Sequence, residues 1–160
     1  MFARHFIDSL DFAHKGKELC GEIPVTAMAR LADMLATSEG QVSYMLRGLA
    51  AKDGRPLLEL SLDGLCHLRC QRCLQAMDYP IRQVSRLLLA EEQATDDELL
   101  EEDFDSIPPD ANLDVAGLVE DEILLNLPFA PKHDVCMAAT EGLKQGGENP
   151  FAVLRSLKNE

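Results

Sequence analysis

The chain has no tryptophan, and aromatic residues make up only 5% of its 160 positions. Any core must therefore be built from Leu, Val, Ile, Ala and Met. No apolar run approaches the ~20 residues that span a bilayer, so no membrane association is expected. The first ten residues carry Arg4, His5 and Asp8 and no uninterrupted apolar stretch, so no secretory signal is expected either. Enzyme signatures are also missing: there is no Gly-rich phosphate loop, no G-x-S-x-G elbow and no HExxH helix. Carboxylates are plentiful, but none sits in an apolar setting that would tune it as a general acid. The expectation is a cytoplasmic protein that is not an enzyme.

One stretch lacks cations altogether. Residues 91–110 hold ten acidic side chains and no basic one, and they supply most of the net charge of −13. Phosphate backbones repel such a segment and basic proteins attract it. Glu101, Glu102 and Asp103 lie at its centre and are candidate partner-binding residues. A solvated, mobile insert over about 90–112 is the plain alternative.

Five cysteines without a secretory signal point to a reducing compartment, hence to thiols or metal rather than disulfides. Three of them fall in Cys66-His67-Leu68-Arg69-Cys70-Gln71-Arg72-Cys73. Cys70 and Cys73, two residues apart, can place both sulfurs on one ion, which is half of a tetrahedral zinc site. The other half is sought at His133-Asp134-Val135-Cys136. The candidate ligands are thus Cys70, Cys73, His133 and Cys136, around a structural Zn2+ with no open position for catalysis. A local set of Cys66, His67, Cys70 and Cys73 ranks lower, because strand phase turns His67 away from Cys66. Buried thiols acting as small hydrophobes are the metal-free alternative. A redox pair is disfavoured, since that chemistry wants the pair at a helix N-terminus.

Forty-six per cent hydrophobic residues are enough for one domain over 1–160. Residues 1–22 read as an extended lead-in, with a strand near Phe6-Ile7 and a turn at Lys15-Gly16-Lys17. Ala27, Met28, Leu31, Met34 and Leu35 recur at three and four, predicting a helix introduced at Gly21 to Pro24 and stopped near Gly40. Val42 to Gly48 alternates as a strand. Asp53-Gly54 marks a hairpin turn. Leu58, Leu60 and Leu62 share a face, and the same phase buries Cys66, Leu68 and Cys70. Tyr79 to Leu89 reads as a third strand, which puts Cys70 and Cys73 in a hairpin turn. Leu113, Leu118, Val119, Ile123, Leu124 and Leu127 stripe a helix over 113–127 ended by Pro128, with Glu120, Asp121 and Glu122 expected on its outer face as further partner-binding candidates. A mobile segment over 137–148 and a short helix opened by Asn149-Pro150 close the chain. The fold class is α+β, with an antiparallel sheet of at least three strands and a helix in the N-terminal half. Arg69, Arg72, Arg82 and Arg86 surround the Cys70–Cys73 hairpin and form the one basic patch available for nucleic acid, without an aromatic platform beside it.

Four pieces taken together carry a resemblance: Cys70-Gln71-Arg72-Cys73-Leu74, then Val119 to Pro128 (VEDEILLNLP), then Pro131-Lys132-His133, and finally Asn149 to Leu154 (NPFAVL). In this order and spacing the sequence resembles the bacterial YceD family of large ribosomal RNA subunit accumulation proteins. The resemblance implies a non-enzymatic role in ribosome biogenesis in the cytoplasm, supporting accumulation of large-subunit ribosomal RNA. It suggests ribosomal or ribosome-assembly proteins, basic in charge, as partners. Direct ribosomal RNA binding through the arginine-bearing hairpin is the alternative, and a thiol redox protein the third. Family members often carry a second cysteine pair where this chain has His133 and Cys136.

Overall fold

The computed structural model describes residues 4–90 and 104–136. Five strands form the main sheet: β2 (Glu18–Pro24), β3 (Leu35–Ala50), β4 (Pro56–Arg69), β5 (Ala76–Leu89) and β6 (Asp105–Ile107). They lie in sequence order, β2 to β5 antiparallel and β6 parallel to β5 at the edge. A two-strand ribbon pairs β1 (Phe6–Ile7) with β7 (Leu113–Asp114). Two helices complete the α+β fold: α1 (Ser9–His14) and α2 (Val115–Asn126). None of the described helices is long and apolar enough to cross a membrane.

The period-two pattern of the long strands builds the core. Val42, Leu46, Leu58, Leu60, Cys66 and Leu68 are fully buried on one face, and α1, α2 and the turns after β2 cover it. The β3–β4 connection turns at Gly54, whose φ of +85° suits glycine. The expected strands and the Cys70–Cys73 turn are present, with β5 starting three residues earlier than its alternation suggests.

The helix expected over 27–35 is absent. Val25–Ala27 and Ala29–Leu31 are two short 3-10 turns, and β3 begins at Leu35. The buried residues Val25, Met28 and Leu31 are spaced by three, which is the period of a 3-10 turn as much as part of an α-helical stripe. Met28, at φ −101° and ψ 87°, breaks the path between the turns. Gly40 is not a helix stop. It sits in β3 at φ +123°, where the register with β4 shifts, and a Cβ there would lie 2.4 Å from the Leu65 carbonyl oxygen. The helix in the N-terminal half is instead α1, capped by Asp8, whose carboxylate accepts from the Asp11 amide at 3.0 Å.

Of the expected acidic insert, residues 91–103 lie outside the described residues, so the structure does not place Glu101, Glu102 or Asp103. Asp105–Ile107 forms the edge strand β6, and Ala90 donates to the Ile107 carbonyl at 3.0 Å. The segment over 137–148 and the closing helix also lie outside the described residues.

α2 starts at Asp114, whose side chain accepts from the Ala116 amide at 3.1 Å. Its acidic triplet does not form an outer face. Glu120 and Glu122 are buried and only Asp121 is exposed. α2 has neighbours on more than one side, so no continuous outer face is left at this point of the helix. Glu120 accepts from the Arg30 amide at 2.6 Å and from Arg30 Nε at 3.1 Å. The same guanidinium pairs with Asp121 and donates to the Gly117 carbonyl at 3.3 Å. This fork ties the second 3-10 turn to α2. Arg30→Ala should lower stability by about 2 kcal/mol, because it removes the counter-charge of a buried carboxylate and leaves it only the residue-30 amide. Arg30→Lys should recover little, since a compact ammonium lacks the planar fork that spreads its donors over Glu120, Asp121 and the Gly117 carbonyl. Urea midpoints of the two variants measure this.

Candidate metal centre

The β4–β5 hairpin and the segment after α2 meet at one end of the sheet. Cys70 ends the inward-facing series of β4 and is fully buried. The chain then turns tightly: the Cys70 amide donates to the Gln75 carbonyl and the Leu74 amide to the Cys70 carbonyl, both at 2.9 Å. Leu74 takes φ +62° to close the turn, which swings Cys73 back beside Cys70. Pro128 and Pro131 keep the chain extended after α2. The Pro131 carbonyl accepts from the Gln71 amide at 2.8 Å, docking this segment on the hairpin.

Cys70, Cys73, His133 and Cys136 thereby converge, with one ligand atom from each all within 4.8 Å of one another. Cys70 Sγ lies 3.6 Å from Cys136 Sγ. His133 Nδ1 lies 3.4 Å from Cys73 Sγ and 3.8 Å from Cys136 Sγ. A tetrahedral ion with metal–sulfur bonds of about 2.3 Å has sulfur–sulfur edges of about 3.8 Å and slightly shorter sulfur–nitrogen edges. The three separations are those of such edges, so the cluster can coordinate a metal ion. His133 is pre-set for the task. Its Nε2 lies 3.1 Å from the Ala76 carbonyl and donates to it, leaving the Nδ1 lone pair directed at the sulfurs.

The electrostatics suit thiolates. Burial pushes the Cys70 thiol up, but the backbone amides of Cys73, His133 and Arg72 more than offset this and hold it at about 5. Burial also pushes Cys136 up, and the Arg72 and His133 side chains bring it below the ordinary thiol value. The thiols of Cys136 and Cys70 raise His133. The Gln75 amide favours the Cys73 thiolate, yet burial and the neighbouring sulfurs leave that group raised. One cluster thus shares a limited supply of positive charge, which a divalent cation would complete.

Arg72 is a nucleic-acid candidate by sequence; it is exposed, and its guanidinium is turned onto the thiol cluster. Its Nε donates to Cys136 Sγ at 2.9 Å and its Nη2 to the His133 carbonyl at 2.9 Å. It supports the ligands, and its position between the two cysteines of the hairpin is the signal that could have indicated this. The other three candidates lie on the outward face of the sheet. Arg82 pairs with Asp63 at 3.4 Å and Arg86 with Glu59 at 3.2 Å, while Arg69 is exposed near the hairpin. The alternative local ligand set is not assembled: Cys66 is buried in the core with its thiol pushed up to about 11, and His67 faces outward to Asp78 at 2.8 Å. Cys20 is exposed on β2, far along the sheet.

A family model described as "Large ribosomal RNA subunit accumulation protein YceD" matches residues 58–158. The match spans the hairpin cysteines, α2 and the segment bearing His133 and Cys136. No solved structure matches the chain.

Proposed function

The chain belongs to the YceD family, and from that premise we propose that it serves ribosome biogenesis as a zinc-clipped cytoplasmic scaffold that holds a basic assembly protein. Members of the family are accumulation factors for large-subunit ribosomal RNA, not enzymes. What remains open within that role is the occupant of the surface, a protein or the RNA itself.

The observation that carries the choice is how the arginines are used. Among the described residues, Arg4, Arg30, Arg47, Arg55, Arg82 and Arg86 pair with carboxylates of the same chain, and Arg72 with a thiol. Little cationic surface is left to release counterions from a phosphate backbone. The acid surplus, by contrast, has no internal match: 28 acidic against 15 basic residues, with the excess concentrated in 91–110. Asp121, Glu101, Glu102 and Asp103 are the residues through which a basic partner would be held. Glu120 and Glu122 are committed to the interior and support the helix instead. In this reading zinc on Cys70, Cys73, His133 and Cys136 pins the segment after α2, so that α2 and the acidic stretch keep a defined relation to the sheet.

Affinity capture from a native lysate, split and run with and without nuclease, tests the choice. Small basic proteins should survive nuclease and should be lost as salt rises. Replacing Glu101 and Glu102 by Gln and Asp103 by Asn together should weaken capture by about tenfold. Loss of all partners with nuclease would make RNA the bridge and overturn the protein-partner reading.

A further inference from the structure

The face of the sheet opposite the core carries side chains in rows across four strands, and the rows are charged in a pattern. One row runs Glu18, Arg47, Glu59, Arg86 over β2, β3, β4 and β5 in direct register. Two strand positions away runs Cys20, Met45, Ser61, Val84, and beyond it Glu22, Ser43, Asp63, Arg82. The middle row is the apolar floor of a hollow of about 810 Å³, flanked by residues of the last row. Val84 is 63% exposed and Met45 38%. No described helix covers this side, although one row further along it Leu57 and Leu88 are buried, so the open part of the face ends at the first row.

We propose that this face docks on the same face of a second copy of the chain, about a two-fold axis parallel to the strands and lying between β3 and β4. Such an axis keeps each row opposite itself and reverses the order of strands. Glu18 then meets Arg86 of the other copy, Arg47 meets Glu59, and Glu22 meets Arg82. Cys20 and Met45 meet Val84 and Ser61. Every charge in the first row finds the opposite sign, and the two middle rows face one another across the joined hollows. The other in-plane axis, across the strands, would set Glu59 against Asp63 and Arg86 against Arg82, which like-charge repulsion forbids. The charge pattern therefore selects both the occupant and the axis. It makes the contact isologous, with strands of the two sheets aligned as in ordinary sheet-on-sheet packing.

The ion pairs already made within one chain assist this arrangement. Glu18 with Arg47 at 3.1 Å is a partly exposed pair and Glu59 with Arg86 at 3.2 Å one whose carboxylate is mostly buried; each would become half of a four-charge network. Four strands about 4.8 Å apart, paired over the seven residues of β2, offer on the order of 450 Å² per copy, below the size of standard specific interfaces. The dimer is therefore weak and salt-sensitive, and it leaves α2 and the metal centre on the outer surfaces of the pair.

Analytical ultracentrifugation of the full chain, over a wide concentration range at about 50 mM and about 500 mM salt, reads the state directly. A concentration-dependent dimer that loosens with salt is expected. Arg82→Glu should raise the dissociation constant about tenfold or more, and adding Glu22→Arg in the same chain should restore most of it. Within one chain these two residues are three strands, or about 14 Å, apart, so rescue reports a contact between copies. Circular dichroism confirms that both variants keep the fold. A monomer at every concentration overturns the proposal, whether the face then proves solvated or covered by residues 137–160. So does a dimer indifferent to Arg82→Glu.

Discussion

Removing the metal from the protein is expected to lower its melting temperature by about 10 °C, corresponding to about 3 kcal/mol for a domain of this size. Protein purified without chelator should carry one zinc per chain. Cys136→Ser and His133→Ala should each release it and reproduce the loss, while Cys20→Ser, an exposed cysteine remote from the cluster, should do neither. The effect is limited because the sheet does not rest on the site: its core is Leu46, Leu58, Leu60 and Leu68, all fully buried and none of them a ligand. What the ion holds is the segment from Leu127 to Cys136, otherwise attached at this end by the Gln71–Pro131 bond, the His133–Ala76 bond and the Arg72 fork. Without a cation, three sulfurs crowd one small volume with the Arg72 guanidinium as the nearest counter-charge. Hydrogen exchange should rise at Gln71 and across 129–136 and stay unchanged in β3 and β4. An unchanged melting temperature after chelation, with Cys136→Ser no worse than Cys20→Ser, would leave the cluster as packed thiols only.

The site was legible in the sequence to a degree that the fold around it was not. Thiol spacing is a local signal, and the search for two more ligands reaches His133 and Cys136 because they repeat the two-residue separation of Cys70 and Cys73. The role of Arg72 was hidden, since a guanidinium reads as surface until its partner is known. The long strands showed themselves by alternation, and Asp114 with Pro128 bounded α2 to within a residue or two. The error over 25–35 came from an ambiguity of period: apolar residues at every third position suit 3-10 turns, and the same set with its four-residue gaps suits a helix. α1 is too short for periodicity to register. The burial of Glu120 had no sequence signal at all, because it depends on Arg30 being brought from another element.

Gly48→Ala should cost about 3 kcal/mol, although it adds a single methyl group to a strand. Gly48 faces the core side of β3 where α1 crosses, and its amide donates to the Lys17 carbonyl at 2.8 Å. A Cβ there would lie 2.2 Å from the Phe12 carbonyl oxygen and 2.7 Å from the Ala13 Cα. Both obstacles are backbone, so no rotamer change relieves them and α1 as a whole must move. It is not free to do so. Ser9 is fully buried and exchanges two bonds with Asp110: its amide donates to the carbonyl and its hydroxyl accepts from the Asp110 amide, each at 2.9 Å. Just before it, β1 pairs with β7, and the His5 carbonyl accepts from the Val115 amide at the start of α2, at 3.0 Å. A displaced α1 would therefore disturb the entry to α2, and with it the path that carries His133 and Cys136 to the hairpin. Gly54→Ala is the control. Gly54, unlike Gly48, has a positive φ, but nothing lies within 4 Å of its added Cβ, so it should cost only about 1 kcal/mol. Thermal and urea unfolding of the two variants side by side decide the matter. Should Gly54→Ala prove the more damaging, close packing of α1 on the sheet would not be what Gly48 provides.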